Sequence, residues 1–535
     1  MKKVYFMCSL FLVPILLHAQ FKPALDKKIF LDQNIWSSKQ MLTNEIDRYS
    51  DLVSNPNRTS FPDTIKSYVS DTTKDSVKDT IKYNMYGDLL NDDPLYNKRA
   101  SLWSPLLRIE IQNVLLNLAD HYIMQYEWAV VGFNSWNRTF VKSGFPWNDG
   151  WKWDIDRFGN NFLLHPYTGG SYYNAARSSG YNFWESSAFT FGGAYLYKLF
   201  GENGWPNGKP ERNDLIATTL GGMYLGEILY RLGSNVIDER TSGLERVGRE
   251  AVAFVISPGR TISRFFNGKL FSHIDKEVYQ TEPLNITLSM GYHRVNDGIA
   301  IEKGSNSTNI NLILDYGNPF EKRSRKPFDY FRVRTDFDFG VGRKIVDNIT
   351  GYGNLYATNV QIGNLEMLTG LFQHMNYFDN KTFELGTFGF GYGIISKLPM
   401  SKSTSLYTNL HLNIVPFGAL SGRFGPDTSQ VRDYDFAGGA EAKLESTFNF
   451  GGWVNLTFIG YYWWMHTYAG VAGNSYIALI KPRITFKIFN NVSLGFEHLI
   501  YYSDRYPRDF PSVHSVRTEQ KIFVQIFFEE FKFKK

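Results

Sequence analysis

The chain has 535 residues, with 57 Lys and Arg against 52 Asp and Glu, a formal balance of +5. A composition of 43% hydrophobic, 16% aromatic and 20% charged residues excludes global disorder and collagen-like or low-complexity architectures. So mild a basic excess falls short of the stripe that a nucleic-acid binder presents, so no nucleic-acid partner is expected. The length suits two or three domains at roughly 150 residues each.

Residues 1–19 read as a signal peptide. Lys2 and Lys3 form a positive start, Val4 to Leu17 an apolar run, and Ala19 the small residue before an expected cleavage at Gln20. The single cysteine, Cys8, lies inside this segment. The exported chain is then expected to have no disulfide, thiolate metal site or cysteine nucleophile. Residues 20–100 read as a weakly ordered, low-complexity arm, marked by the repeat Asp71-Thr-Thr-Lys74, Asp75-Ser-Val-Lys78, Asp79-Thr-Ile-Lys82. Such a segment buries too little apolar surface to fold alone.

Residues 101–259 carry helical spacing and many small residues. Leu106, Leu107, Ile109, Val114, Leu118 and Ile123 recur at three- and four-residue intervals and predict an amphipathic helix within Trp103 to Val131, with Pro105 near its start. A Trp-, Asn- and Gly-rich loop is expected from Asn134 to Asn161. Helices follow near Gly170 to Phe183, Trp184 to Phe200, Ile216 to Leu232 and Glu239 to Ile256, with Pro258-Gly259 as the expected stop. The small faces at Ala175, Ala176, Gly192, Gly193, Gly221, Gly222 and Gly226 suit close helix packing.

The densest run of chemically capable residues lies in this helical region. It comprises Trp153, Asp154, Asp156 and Phe158, then His165-Pro-Tyr-Thr-Gly169, then Ala176 and Arg177, then Asn213-Asp214-Leu215 and Glu227. This combination resembles the bacterial envelope proteins that carry domain of unknown function 3943, whose pattern is Trp-x-Asp-x-Asp-x-Phe, His-Pro-Tyr-x-Gly, an Ala-Arg helix, and Asn-Asp-Leu before a Gly and Glu helix. The resemblance spans roughly Trp136 to Arg231. It implies a Gram-negative outer-membrane setting and leaves activity open.

Three readings compete for the cluster. As a catalytic centre, His165 is a general base oriented by Asp154 or Asp156, with Ser178 a candidate nucleophile and outer-membrane lipid or glycan the substrate. No Gly-x-Ser-x-Gly or His-Glu-x-x-His pattern supports that reading. As a binding or transport site, Arg177, Glu185, Asp214, Glu227 and Arg231 line a path for a small solute. As a structural network, the same charges pair with one another. A calcium loop beginning at Asp154 has Asp156 third and Gly159 sixth, but Phe158 fifth and His165 twelfth break the EF-hand pattern. No metal or cofactor is therefore expected.

Beyond about residue 270 the period changes from 3.6 to 2. Leu284, Ile286, Leu288 and Met290 alternate with Asn285, Thr287 and Ser289, while Phe331, Val333, Phe337 and Phe339 alternate with Arg332, Arg334, Asp336 and Asp338. About twelve such segments fill residues 270–535. Aromatic clusters at Tyr461 to Trp464, at Tyr501 and Tyr502, and at Phe523 to Phe533 match the girdles of a transmembrane barrel. The expected fold is thus α+β: a small-residue-rich helical domain followed by an antiparallel transmembrane β-barrel. In a barrel this narrow, the helical domain is expected as a plug or cap, or else the lumen is filled by side chains. The expected role is non-enzymatic, in structure or solute handling, with outer-membrane lipid as the surroundings.

Overall fold

The structure is a computed structural model that describes residues 99–531 except 144–149, 155, 204–208, 275–277, 280, 342, 381 and 422–433. The expected signal peptide and nearly all of the arm lie outside the described residues.

Among the described residues, seven α-helices precede the sheet: α1 (Trp103–Tyr122), α2 (Phe133–Ser143), α3 (His165–Arg177), α4 (Phe183–Leu196), α5 (Arg212–Val236), α6 (Gly243–Ile256) and α7 (Pro258–Phe266). Helix α2 falls where the sequence predicts a loop. Short π-helical turns at Asn160–Leu164 and Tyr197–Gly201 abut α3 and α4. A capping box starts α4: the Asn182 side chain accepts from the Glu185 backbone N–H, and the Glu185 carboxylate accepts from that of Asn182. Pro258-Gly259 opens α7 instead of ending the helices. Proline costs nothing in the first helical turn, where its missing N–H has no partner to lose, so the pair reads equally well as a start.

Helices α3 and α5 pack backbone to backbone. A Cβ on Gly169 would stand 1.9 Å from the Thr218 carbonyl oxygen, and one on Gly222 would stand 2.5 Å from the Gly169 carbonyl carbon. Only glycine permits that approach.

The expected twelve strands form one closed antiparallel barrel, each paired with its sequence neighbour and β1 closing on β12. They are β1 (Leu284–Asp297), β2 (Ala300–Tyr316), β3 (Phe331–Phe339), β4 (Val346–Ile362), β5 (Leu365–Asp379), β6 (Glu384–Pro399), β7 (Ser405–Ser421), β8 (Tyr434–Phe450), β9 (Val454–Ala469), β10 (Gly473–Phe489), β11 (Val492–Pro507) and β12 (Val513–Phe528).

Alternation decides what fills the lumen. Arg334, Thr350, Asn376 and Thr387 occupy adjoining register positions on β3 to β6. From that row Arg334 reaches Glu445 on β8 at 3.1 Å, and Asn376 reaches Glu441 on β8 at 2.7 Å. Contacts between strands so far apart in the order cross the interior. The inward row is therefore polar and ion-paired. Arg332 meets Asp315 at 2.7 Å and Lys521 meets Asp336 at 3.0 Å, while His293 bridges Asp338 at 2.8 Å and Glu519 at 3.0 Å. Near Arg334 and Lys521 the remaining cavity is about 20 Å³, room for roughly one water.

The neighbouring row faces outward, and there the helices dock. Ile286, Leu314, Val333, Gly351, Met375, Phe388 and Phe417 follow one another along a single line of strand pairing from β1 to β7. Leu314, Val333, Met375, Phe388 and Phe417 share an apolar cluster with Phe162, Ala217, Tyr224 and Ile228 of the helical unit. The helical unit lies against the outer wall, which corrects the expectation of a plug or cap. Strand side chains, and not helices, fill the lumen. Helix α5, about 37 Å long at 1.5 Å per residue, runs obliquely over the wall from the Tyr434 end of β8 toward Glu282 before β1. Elsewhere on the outer face Leu412, Ile414, Leu456 and Phe496 are exposed, giving the polar-in, apolar-out order of a transmembrane barrel. No described helix is long and apolar enough to cross a membrane.

Candidate functional site

The polar residues singled out in the sequence divide among three places. At the first, Glu227 on α5 is fully buried and accepts from Arg177 Nε at 2.8 Å, Arg177 Nη2 at 3.0 Å, Arg231 Nε at 2.8 Å and the Tyr173 hydroxyl at 2.7 Å. Arg177 also lies over the Tyr230 ring at 4.7 Å. Arg231 reaches beyond the helices, donating to the Pro327 carbonyl at 2.7 Å and pairing with Asp329 at 3.4 Å on the loop between β2 and β3. Two guanidinium groups thus face two carboxylates. A buried set so balanced holds its elements in one arrangement, and removing one member leaves an uncompensated charge.

The second place gathers Asp154, His165 and Asp214. His165, at the start of α3, has Nε2 at 3.2 Å from Asp214 Oδ1, whereas Asp154 takes the Asn161 amide at 3.2 Å on each oxygen. His165 thus pairs with Asp214, and its charge also acts on Asp156. Asn213 joins the set by donating to Asp214 at 2.6 Å and to Asn161 at 2.7 Å. Asp156 stands at the edge of this group in the loop before the first π-helical turn. Burial chiefly, and the Asp214 charge next, push its carboxyl up to about 6 against the opposing pull of His165.

Beside Asp214, oxygens of Glu202, Glu211 and Asp214 lie within 4.8 Å of one another, a donor set of the kind that holds a hard cation. The Lys198 ammonium engages all three, at 2.7, 3.3 and 2.5 Å, and Lys152 adds a contact to Glu211 at 2.8 Å. A lysine thus supplies the positive charge at the centre of the trio.

The third place is the start of α4, where Glu185 caps the helix and pairs with Arg99 at 2.9 Å. It stands apart from Arg177 and Glu227. Ser178 follows the last residue of α3, thirteen positions from His165 along that helix, or about 20 Å at the helical rise. The structure does not bring this nucleophile candidate to the histidine.

Lys198, Glu211 and Lys152 were not singled out as site residues. Lys198 carried one local signal, a lone cation inside the apolar run from Tyr195 to Phe200. A further ionic group, Arg264 with Glu239, Tyr279 and Glu250 at 2.5, 2.7 and 2.6 Å, joins α7 to α6 and to the segment before β1. It straddles the expected domain boundary, which concealed it.

Among solved structures, the chain is similar to an outer membrane channel, DcaP of Acinetobacter baumannii, at 7% identity over 46% of this chain and 96% of that one, with a TM-score of 0.21. It is also similar to OmpT, an outer membrane protein of Vibrio cholerae, at 7% identity over 46% and 96% with a TM-score of 0.23. The Pseudomonas putida toluene transporter TodX gives 7% identity over 46% and 90% with a TM-score of 0.21. No curated protein matches the chain. The family model described as a domain of unknown function (DUF3943) matches residues 150–259, from the Trp151 loop to the start of α7.

Proposed function

We propose that the chain is an outer-membrane barrel, exported by its first 19 residues, whose role is structural: a closed barrel that holds the helical unit on its lipid-facing wall. The carrying observation is the lumen itself. Arg334 to Glu445 and Asn376 to Glu441 cross it, and the cavity beside them admits about one water. A pore conducts through a continuous wet path, and the ion pairs occupy that path. Any solute is then handled on the helical side of the wall instead of through the barrel.

The test is planar-bilayer recording of the purified full chain. We expect no steady conductance above the bare bilayer. A reproducible unitary step in every insertion would sink the proposal in favour of a channel.

A further inference from the structure

A large cavity lies in the helical unit. It measures about 630 Å³ between α1, α3 and α7, within the roughly 300–1,000 Å³ of ordinary small-molecule sites. The surface facing it is nearly all apolar, and several lining side chains stand half exposed at its rim, among them Leu115 at 56%, Phe265 at 53% and Phe266 at 58%. The rim continues into an uncovered apolar stripe on α1 through Leu107, Ile111, Val114 and Leu118. Such a stripe is costly against water and suited to hydrocarbon. It belongs to a unit that docks on the same outward barrel face from which Leu412 and Ile414 project.

The interior of the cavity is different. Asn174 on α3 is 1% exposed and spends both amide hydrogens on the Gly170 and Gly226 carbonyls, yet its Oδ1 has no hydrogen-bond partner. Ser257, just before α7, is 2% exposed and its Oγ is also without one. Both line the cavity. A buried acceptor left open costs free energy unless something donates to it.

We propose that this cavity is a binding site for one acyl chain of a bilayer lipid, entered between α1 and α7, with a hydroxyl or amide on the chain donating to Asn174 Oδ1 beside Ser257. This rests on the reading that the wall carrying the helices faces lipid. An apolar rim, an apolar shaft and a buried polar end together select an amphiphile over a purely hydrocarbon ligand. Attachment of the helical unit to the barrel's outward wall selects a lipid already in the membrane.

The experiment uses the full chain in detergent with two photoreactive probes, a diazirine-bearing hexadecanoic acid and its 3-hydroxy counterpart, with adducts mapped by mass spectrometry. Cavity residues on α1 and α7 are expected to label about tenfold above outward barrel residues such as Leu412, with the hydroxylated probe preferred. Leu115→Trp, which narrows the entrance at an exposed position, is expected to lower cavity labelling about fivefold and leave Leu412 labelling unchanged. Ser257→Ala is expected to weaken the preference for the hydroxylated probe. The proposal is overturned if cavity labelling merely matches that of Leu412, if Leu115→Trp does not reduce it, or if both probes label alike. Absence of label at Leu412 itself marks failure of the lipid-facing reading beneath it.

Discussion

Tyr434, the first residue of β8, accepts the Asn161 side-chain amide at 2.8 Å and donates its own hydroxyl to the Asp156 carbonyl at 2.7 Å. One barrel phenol is thereby tied to both ends of the loop that delivers α3. Asn161 in turn holds Asp154 and accepts from Asn213, so the barrel is linked through two side chains to the first turn of α5. Tyr434→Phe is expected to remove the linkage while keeping the ring packed against Phe158 and Phe436. The loss is about 1–3 kcal/mol, two hydrogen bonds removed with the Asp156 carbonyl left without this donor. Hydrogen exchange of residues 156–165 is then expected to speed up about tenfold with the strands unchanged. Unchanged exchange there would show that packing alone holds the loop.

Glu227 bridges Arg177 and Arg231, at 2.8 Å to the Nε of each. Glu227→Gln keeps the shape but leaves two buried guanidinium groups facing a neutral amide, and is expected to cost about 3–5 kcal/mol. Replacing Arg177, Glu227 and Arg231 together by Met, Leu and Met is expected to recover most of that loss, because the three buried charges go together and Asp329 keeps Arg323 at 3.8 Å. Denaturant midpoints of the three proteins in detergent decide it. A triple variant as unstable as the single one would show that the network does more than balance charge.

Two glycines in helices separate close approach from backbone freedom. On Gly222→Ala the new methyl would meet the Gly169 backbone at 2.5 Å, and the expected cost is above about 2 kcal/mol because α3 and α5 must part. Gly248 in α6 has open space at its Cβ position, so Gly248→Ala is expected to stabilise by up to about 1 kcal/mol through helix propensity. Opposite shifts in the thermal midpoint of helix loss would confirm the pair. Equal shifts would place Gly222 in a looser contact than these distances describe.

The strands were legible because their two faces have different chemistry. Arg332, Arg334, Asp336 and Asp338 stand inward between Phe331, Val333 and Phe337, so period two survives even where the inward row is charged. The docking face was illegible for a physical reason. A side chain that meets lipid and one that meets the helical unit are both apolar, so Phe388 and Phe417 under that unit look in sequence like Leu412 and Leu456 in the open. Nothing local told the covered wall from the bare one, and a plug remained as plausible a place for the helices as the outer wall. Site partners were hidden similarly. His165 and Asp214 lie 49 positions apart and meet only because Gly169 and Gly222 let α3 and α5 close together, while Asp154, nearer in sequence, turns to Asn161.

The lumen offers the most direct link from side chains to function. Glu445 on β8 takes Arg334 at 3.1 Å and Arg332 at 3.3 Å and accepts from the Tyr461 hydroxyl at 2.5 Å, while Glu441 takes Lys443 at 3.0 Å, Asn376 at 2.7 Å and the Trp463 indole at 3.0 Å. Both carboxylates stand on one strand and together hold groups from β3, β5, β8 and β9 across the barrel. Removing them in Glu441→Ala with Glu445→Ala deletes two side chains' volume and leaves Arg332, Arg334 and Lys443 without these acceptors. Water must then enter to solvate the cations, since an unpaired buried charge costs several kcal/mol. The expected outcome is a barrel that still forms, with a conductance that is absent from the unaltered chain and selects anions because the uncovered groups are cationic. Reversal potentials in a salt gradient measure the selectivity. A variant that folds but stays silent would mean that Tyr352, Phe372 and Trp463, not the ion pairs, seal the lumen.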